Sequence, residues 1–461
     1  MLGFKLGVKR DRDNSLFFLT WPIFLELFLF MMMGTADTFM LSKLSDNAVS
    51  GVGASNQYLH IMLLVMEVIG NGASIVVAQY IGSRKLVEAA QLSALAISLN
   101  LLAGLLMSLS CLLFGNVILQ GLHLQGEVLA YAQSYLRIVG GFIFLQAIIN
   151  SLSAIIRVYG FTKEAMLVSL GMNIIHLVGN YVLIFGKFGF PELGVEGAAI
   201  STVVSRLLAM LVFFWLMNRV MVFKVKLQYF FKMSKEFIRK ILKIGIPSAF
   251  EQVMYQSCQM VFLYYVTFLG DASLSARQYA SNISVLIYLF AMAVGMGTAI
   301  MVGRYVGGGR SDAAYKQVLA SVLWASGATM VMLVFVLLFR ERLMGLFTDD
   351  ADIIRLGANV LLYSIVLETG RTINIILVNS LRASGDAKFP LWIGMVTMVG
   401  ISVPLGYYLV FHLDMGLAGI WLAIATDEWL RAVIMYFRWK SRKWERHALV
   451  KPDFVEHTAS H

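Results

Sequence analysis

Cysteine occurs only twice in the 461 residues, histidine seven times, and charged side chains make up just 14% of the chain. Cys111 and Cys258 both lie inside apolar stretches, so neither a disulfide framework nor a metal site is expected. Catalytic signatures are missing too: there is no GxxxxGK[ST] loop, GxSxG elbow, HExxH pair or CxxC. An enzyme is therefore not expected, and no cofactor is implied. Strand-like alternation is absent, which argues against a β-barrel.

What fills the chain is apolar: 59% hydrophobic residues and a mean hydropathy of +0.76, far above a soluble globular protein. Apolar runs long enough to cross a hydrocarbon core of about 30 Å recur throughout. They predict an all-α integral membrane protein with twelve transmembrane helices, over 16–41, 52–80, 88–114, 129–157, 164–186, 193–219, 240–269, 277–305, 313–339, 353–382, 388–411 and 416–439. The first run follows Lys5, Lys9 and Arg10 as a signal peptide would, but it is too long and lacks a small-x-small cleavage site, so it is read as a retained helix.

The net charge of +10 is compatible with nucleic-acid binding, yet Lys and Arg concentrate beside the apolar runs, as cytoplasmic loops meeting anionic lipid require. No nucleic-acid partner is expected; the partner is the bilayer. Basic clusters precede helix 1 and follow the even-numbered helices, for example Arg84 and Lys85, Arg157 and Lys163, Lys224 and Lys232. Positions near Lys43, His123 and His412 would then face outward, with both termini cytoplasmic and the protein multi-pass in the plasma membrane.

The strongest organisational signal is a repeat. Pro22 and Glu26 in WPIFLELF return as Pro247 and Glu251, an offset of 225 (247 − 22 and 251 − 26). GNGASIVVAQYIGSR from Gly70 matches GMGTAIMVGRYVGGG from Gly295, Arg157, Gly160 and Lys163 match Arg382, Gly385 and Lys388, and GVEG at Gly194 matches GLAG at Gly416 with a small slip. Apolar bias cannot place Gly, Pro, Glu and Arg in register. Two six-helix lobes are predicted, 1–220 and 244–461, joined by a basic cytoplasmic linker at 221–243. An even helix number gives them the same orientation, related by an axis along the membrane normal.

Ionisable groups inside membrane helices are costly and so are functional candidates. In the first half these are Glu26 and Asp37, eleven residues apart and nearly on one face, then Glu67. Asn173, His176 and Asn180 form one polar stripe, which could equally be interhelical glue. The second half offers Glu251, Gln252, Gln256 and Gln259, then Glu368 and Arg371, which may be three apart merely to neutralise each other, and Asn374. Asp427, Glu428 and Arg431 lie near the middle of the last helix, but a register slide would expose part of that cluster, and it is not put forward as a site.

These residues resemble the multidrug and toxic compound extrusion (MATE) family of secondary transporters along essentially the whole chain. GTADTFMLS, Gly34 to Ser42, resembles the family's helix-1 motif, and NSLRASGD, Asn379 to Asp386, its LRxxGD motif. The resemblance implies antiport of organic cations or drugs against H+ or Na+ by alternating access, and a monomer is expected. It makes Asp37 the coupling carboxylate of the N-terminal lobe, with Glu26, Asn180 and Asn173 near it, and Glu251 its counterpart in the other lobe; Na+ would sit at Asp37 or Glu251. Glu67, His176, Gln252, Glu368 and Arg371 are candidates for substrate contact or gating. One departure is Arg371, where some sodium-coupled members carry a carboxylate. The alternatives are a lipid-linked oligosaccharide flippase of the same superfamily, against which twelve helices and central acids count, and a membrane-bound transferase.

Overall fold

The computed structural model describes residues 15–121, 124–220, 226–231 and 234–450. Lys5, Lys9, Arg10, Arg12, His123, Lys224 and Lys232, on which part of the topology reading rests, lie outside the described residues. Every regular element is helical: α1 (Leu16–Ser42), α2 (Asp46–Gly82), α3 (Leu86–Gly121), α4 (Gly126–Tyr135, then Ile143–Val158), α5 (Thr162–Ile184) and α6 (Gly194–Val220). They are followed by α7 (Lys235–Thr267), α8 (Asp271–Gly307), α9 (Ser311–Met344), α10 (Ala351–Ser384), α11 (Lys388–Thr397, then Val403–Phe411) and α12 (Gly416–Lys440). Among the described residues, nine helices are both long and apolar enough to cross a membrane, and α4 adds a tenth if its two pieces, bent by 48°, count as one. The other two, α7 and α12, have 33 and 25 residues, about 50 and 38 Å of helix. They are long enough but too polar, because α7 carries Glu251 and three glutamines and α12 carries Asp427, Glu428 and Arg431.

Helix ends differ from the apolar runs where polar residues continue the helix beyond the hydrocarbon. α2 begins at Asp46 rather than 52, and α3 continues to Gly121 rather than 114. An apolar count ends with the oil; backbone hydrogen bonding does not.

The chain forms two compact units, 1–81 with 85–245, and 82–84 with 246–461. Of the expected linker, residues 221–225 and 232–233 lie outside the described residues. The rest forms a short helix, Leu227–Phe231, and the first turns of α7. Both pieces pack on unit 1: Ser98 donates to the Phe230 carbonyl at 2.8 Å, and Lys240 Nζ donates to the Tyr80 hydroxyl at 2.8 Å.

Lipid tails give apolar helices little reason to associate, so close packing and polar links must hold them. In unit 1, Gly51 admits the backbone of Val128 and Ala132 from α4, and Ser55 donates to the Ala132 carbonyl at 2.8 Å. Met66, Leu119, Leu136 and Ile143 fill the space between, all fully or almost fully buried. In unit 2, Ile287, Leu333, Leu361 and Trp421 do the same for α8, α9, α10 and α12.

Pro22 sits inside α1 and has no N–H for the Phe18 carbonyl four residues back. The Thr162 hydroxyl, at the start of α5, donates to that carbonyl at 3.2 Å. The proline thus frees an acceptor that ties α1 to α5.

The duplicated sequence signals take the same backbone roles in both units. Gly160 and Gly385, each just beyond a helix end, have φ of +94° and +102°, and Gly194 and Gly416, each opening a helix, have +53° and +55°. Helix α10 is capped at both ends: the Asp350 carboxylate accepts from the Asp352 and Ile353 amides, and Gly385, in the left-handed conformation, closes it through its backbone. A Cβ on Gly385 would also run into the His447 carbonyl. Gly385→Ala should therefore cost about 1–3 kcal/mol, read as a lower thermal midpoint, whereas Gly34→Ala, which meets open space, should leave the midpoint nearly unchanged.

Candidate functional site

In each unit the repeat brings one Glu and one Arg together. Arg157 Nη1 on α4 lies 3.1 Å from Glu26 Oε2 on α1, and Arg382 Nη2 on α10 lies 2.6 Å from Glu251 Oε2 on α7. Both residues of one pair are offset by 225 from those of the other. Glu26 also accepts from Ser169 at 2.8 Å and Ser153 at 3.3 Å. Glu26 is thus a carboxylate closed in by three donors. Glu251 is more enclosed still, with Arg431 Nη1 at 3.6 Å from its second oxygen.

Asp37 is held differently. Asn180 Nδ2 on α5 donates to Asp37 Oδ1 at 2.7 Å, and His176 Nε2, one turn away, lies 3.3 Å from the same oxygen. Oδ2 receives no hydrogen bond from the described residues, and the side chain stays 26% exposed. Arg206 on α6, half-buried, lies close enough for its charge to act on Asp37. Of the expected stripe, His176 and Asn180 reach Asp37, but Asn173 does not; its Oδ1 is buried without a partner. Glu67 is exposed on α2 with no ion pair among the described residues.

Unit 2 contains a buried chain of charges. Arg371 Nη1 donates to Glu368 at 2.7 Å and its Nε to Glu428 at 3.3 Å, with the guanidinium stacked 4.8 Å from the Tyr288 ring centre. Asn374 donates to Glu428 at 2.7 Å, and Arg431 reaches Asp427 at 2.7 Å and Glu428 at 3.3 Å. Of these groups Arg371, Tyr288, Asn374, Glu428 and Arg431 border a cavity of about 360 Å³, also lined by Gln252 and Gln256. A second cavity, about 260 Å³, holds Arg277 and Gln259. Tyr255, Tyr288 and Arg371 belong to both walls and form the partition between them.

The LRxxGD segment can now be read physically. Arg382 binds Glu251, Gly385 supplies the positive φ that ends α10, and Asp386 accepts from Arg438 Nε of α12 at 2.8 Å. The residues after α12 fold back here, with Trp444 stacked on Trp439 at 4.2 Å between ring centres.

The MatE family model matches residues 22–182 and again 247–408. The chain belongs to the MatE family. Its two matched segments start at Pro22 and Pro247, the positions from which the repeat was traced. Among curated relatives, this MatE protein is 43% identical over 434 residues to the uncharacterized transporter YisQ of Bacillus subtilis, covering 94% of this chain and 95% of that one. It is 26% identical over 449 residues to a probable multidrug resistance protein, NorM of Thermotoga maritima, covering 95% and 94%. Among solved structures, an outward-facing multidrug resistance MATE transporter of the MOP superfamily superposes with a TM-score of 0.87 at 20% identity, covering 96% and 98%. A Pyrococcus furiosus MOP-superfamily transporter, described as having a binding pocket of reversed polarity, gives 0.86 at 19%, with the same coverage. The fold is that of a MATE transporter, and the protein is a multi-pass membrane transporter rather than an enzyme.

Arg206, Asp427, Glu428 and Arg431 are members of these MatE clusters that the sequence reading did not put forward. Arg206 stands in an otherwise apolar helix and was legible as an intramembrane charge. Glu428 and Arg431 were seen but set aside because the register of α12 was open; the structure buries both, together with Asp427.

Proposed function

We propose that this protein is a secondary antiporter that exports small organic compounds, drugs among them, by alternating access, with Asp37 as the coupling carboxylate. The observation that carries the reading is the contrast between acids. Glu26 and Glu251 are committed to arginines, while Asp37 has one oxygen anchored by Asn180 and the other unoccupied on a partly exposed side chain. Of these three acids, Asp37 alone can pick up and surrender a cation without first breaking an arginine ion pair.

The groups around it favour H+ over Na+. A hard cation requires several oxygen ligands, but an imidazole nitrogen and an amide N–H point at Asp37. A carboxylate in low dielectric also holds a proton more readily than one in water, and coupling requires cargo and ion to favour different states of the transporter. Support for drug export comes from the NorM relatives named as probable multidrug resistance proteins. Export from inverted vesicles under separately imposed proton and sodium gradients tests the reading; transport driven by sodium alone would refute it.

The excess of Lys and Arg in alternate loops supports an orientation with both termini in the cytoplasm. With Cys111 and Cys258 replaced, single cysteines at positions 43 and 412 should react with an impermeant reagent in intact cells. Those at 85 and 163 should react only after permeabilisation, and labelling of position 163 in intact cells would invert the topology.

A further inference from the structure

The cavity of about 360 Å³ in unit 2 has three guanidiniums on its wall, Arg371, Arg382 and Arg431, and two carboxylates, Glu251 and Glu428. Glu368 and Asp427 stand behind them. Four acids against three arginines decide little by formal count; the uncommitted atoms on the wall decide more. Both wall carboxylates are already in use: Glu251 faces Arg382 and Arg431, and Glu428 faces Arg371, Arg431 and Asn374. A cationic ligand would have to displace a guanidinium to reach either. The guanidiniums are not used up. Arg382 is engaged only through Nη2, which leaves its Nη1 without a hydrogen bond among the described residues. Arg431 is engaged through both Nη atoms, but Arg371 bonds through Nε and Nη1 alone and keeps Nη2.

Spare, buried, positively charged donors are what an anionic headgroup needs: charge-assisted bonds from a planar fork, paid for by no new burial of a bare charge. On the same wall, Met292, Met296, Met398, Ile375 and Val378 offer an adaptable apolar surface. The volume is within the range of small-molecule sites, about 300–1,000 Å³.

We infer that this cavity recognises an amphiphilic organic carboxylate, its carboxylate on Arg382 and its apolar body on the methionine side, so that the cargo is an organic acid or a zwitterion rather than a simple organic cation. The inference deepens the export reading by naming the cargo class, but it concerns binding and needs no gradient.

The test uses the full-length protein, purified and without any imposed gradient. Equilibrium dialysis is run with two probes of matched shape, 2-naphthylacetate and (2-naphthylmethyl)trimethylammonium. The carboxylate should bind at least about tenfold more tightly, a difference of 1.4 kcal/mol. Arg382→Gln should remove most of that preference, and Arg382→Lys, which keeps the charge but loses the fork, should fall between. Because Arg382→Gln strips Glu251 of its shorter ion pair, the double variant Glu251→Gln/Arg382→Gln serves as the folded control, and it should also lose the carboxylate. Equal binding of the two probes, preference for the ammonium, or carboxylate binding unchanged in a folded double variant would overturn the inference. Carboxylate binding in a wild type that shows no gradient-driven export would sink the antiport reading and leave this one standing.

Discussion

Asp37→Asn is expected to insert, fold and bind cargo, and to lose gradient-driven export by at least about 100-fold, equivalent to some 2.7 kcal/mol of lost coupling. The asparagine keeps size and polarity and can still accept from Asn180 through its carbonyl oxygen, so the link between α1 and α5 survives. What disappears is a group that can change its charge. The measurement is export at matched expression across a range of pH, with cargo binding measured in parallel. Full activity at every pH would make Asp37 a structural acid and move the coupling site elsewhere; lost binding together with lost export would mean that the substitution had damaged the fold. Glu26→Gln makes the comparison sharp. It leaves Arg157 without its carboxylate, so its effect should appear first as instability and only secondarily in transport.

Glu428→Gln should have the largest effect on stability. Glu428 is the acid that holds Arg371 and Arg431 together, and it is nearly inaccessible. Removing its charge leaves Arg371 with Glu368 and Arg431 with Asp427 and the more distant Glu251. Breaking a buried pair from one side costs about 3–5 kcal/mol because the remaining charge is uncompensated. The thermal midpoint should fall well below that of Asp37→Asn, and restoring it should require neutralising one arginine as well, for instance Arg371→Met with Glu428→Gln. Equal midpoints for Glu428→Gln and wild type would show that water or lipid headgroups reach the cluster and compensate it.

The fold was almost wholly legible because its determinants are one-dimensional: length of apolar run, charge in the flanks, and a repeat carried by residues that apolar bias does not produce. Gly160 and Gly385 were matched as letters before their φ angles were known, and the angles agree to within a few degrees. Pairings between helices were less legible. That Glu26 meets Arg157 and Glu251 meets Arg382 requires knowing which faces oppose each other; the offset links the pairs across the repeat but does not bring together the two members of one pair. The same gap left Glu26 and Glu251 as candidate coupling acids without a named partner. Arg206 was missed for another reason: it lies on a helix with no second polar landmark beside it except Thr202 and Ser205, which read as ordinary small residues. In unit 2 the error ran the other way. Asp427, Glu428 and Arg431 were suspected of reaching water because a membrane helix so rich in charge would normally slide, but three charges of mixed sign, each with a partner on α7 or α10 or within α12 itself, remove that incentive.

The twin Glu–Arg pairs make each half an internal standard for the other. An alteration introduced at both, Arg157→Lys on one side and Arg382→Lys on the other, asks the same mechanical question of two scaffolds with different duties. Any inequality in the answer is attributable to those duties and not to the scaffold. After duplication, shared joinery was kept while the specialised chemistry diverged: an acid with a vacant oxygen in one half, a guanidinium-rich chamber in the other. On the assignments proposed above, a chimera made of two first halves would inherit sound carpentry and two ion-responsive acids, yet have nothing to grip its cargo.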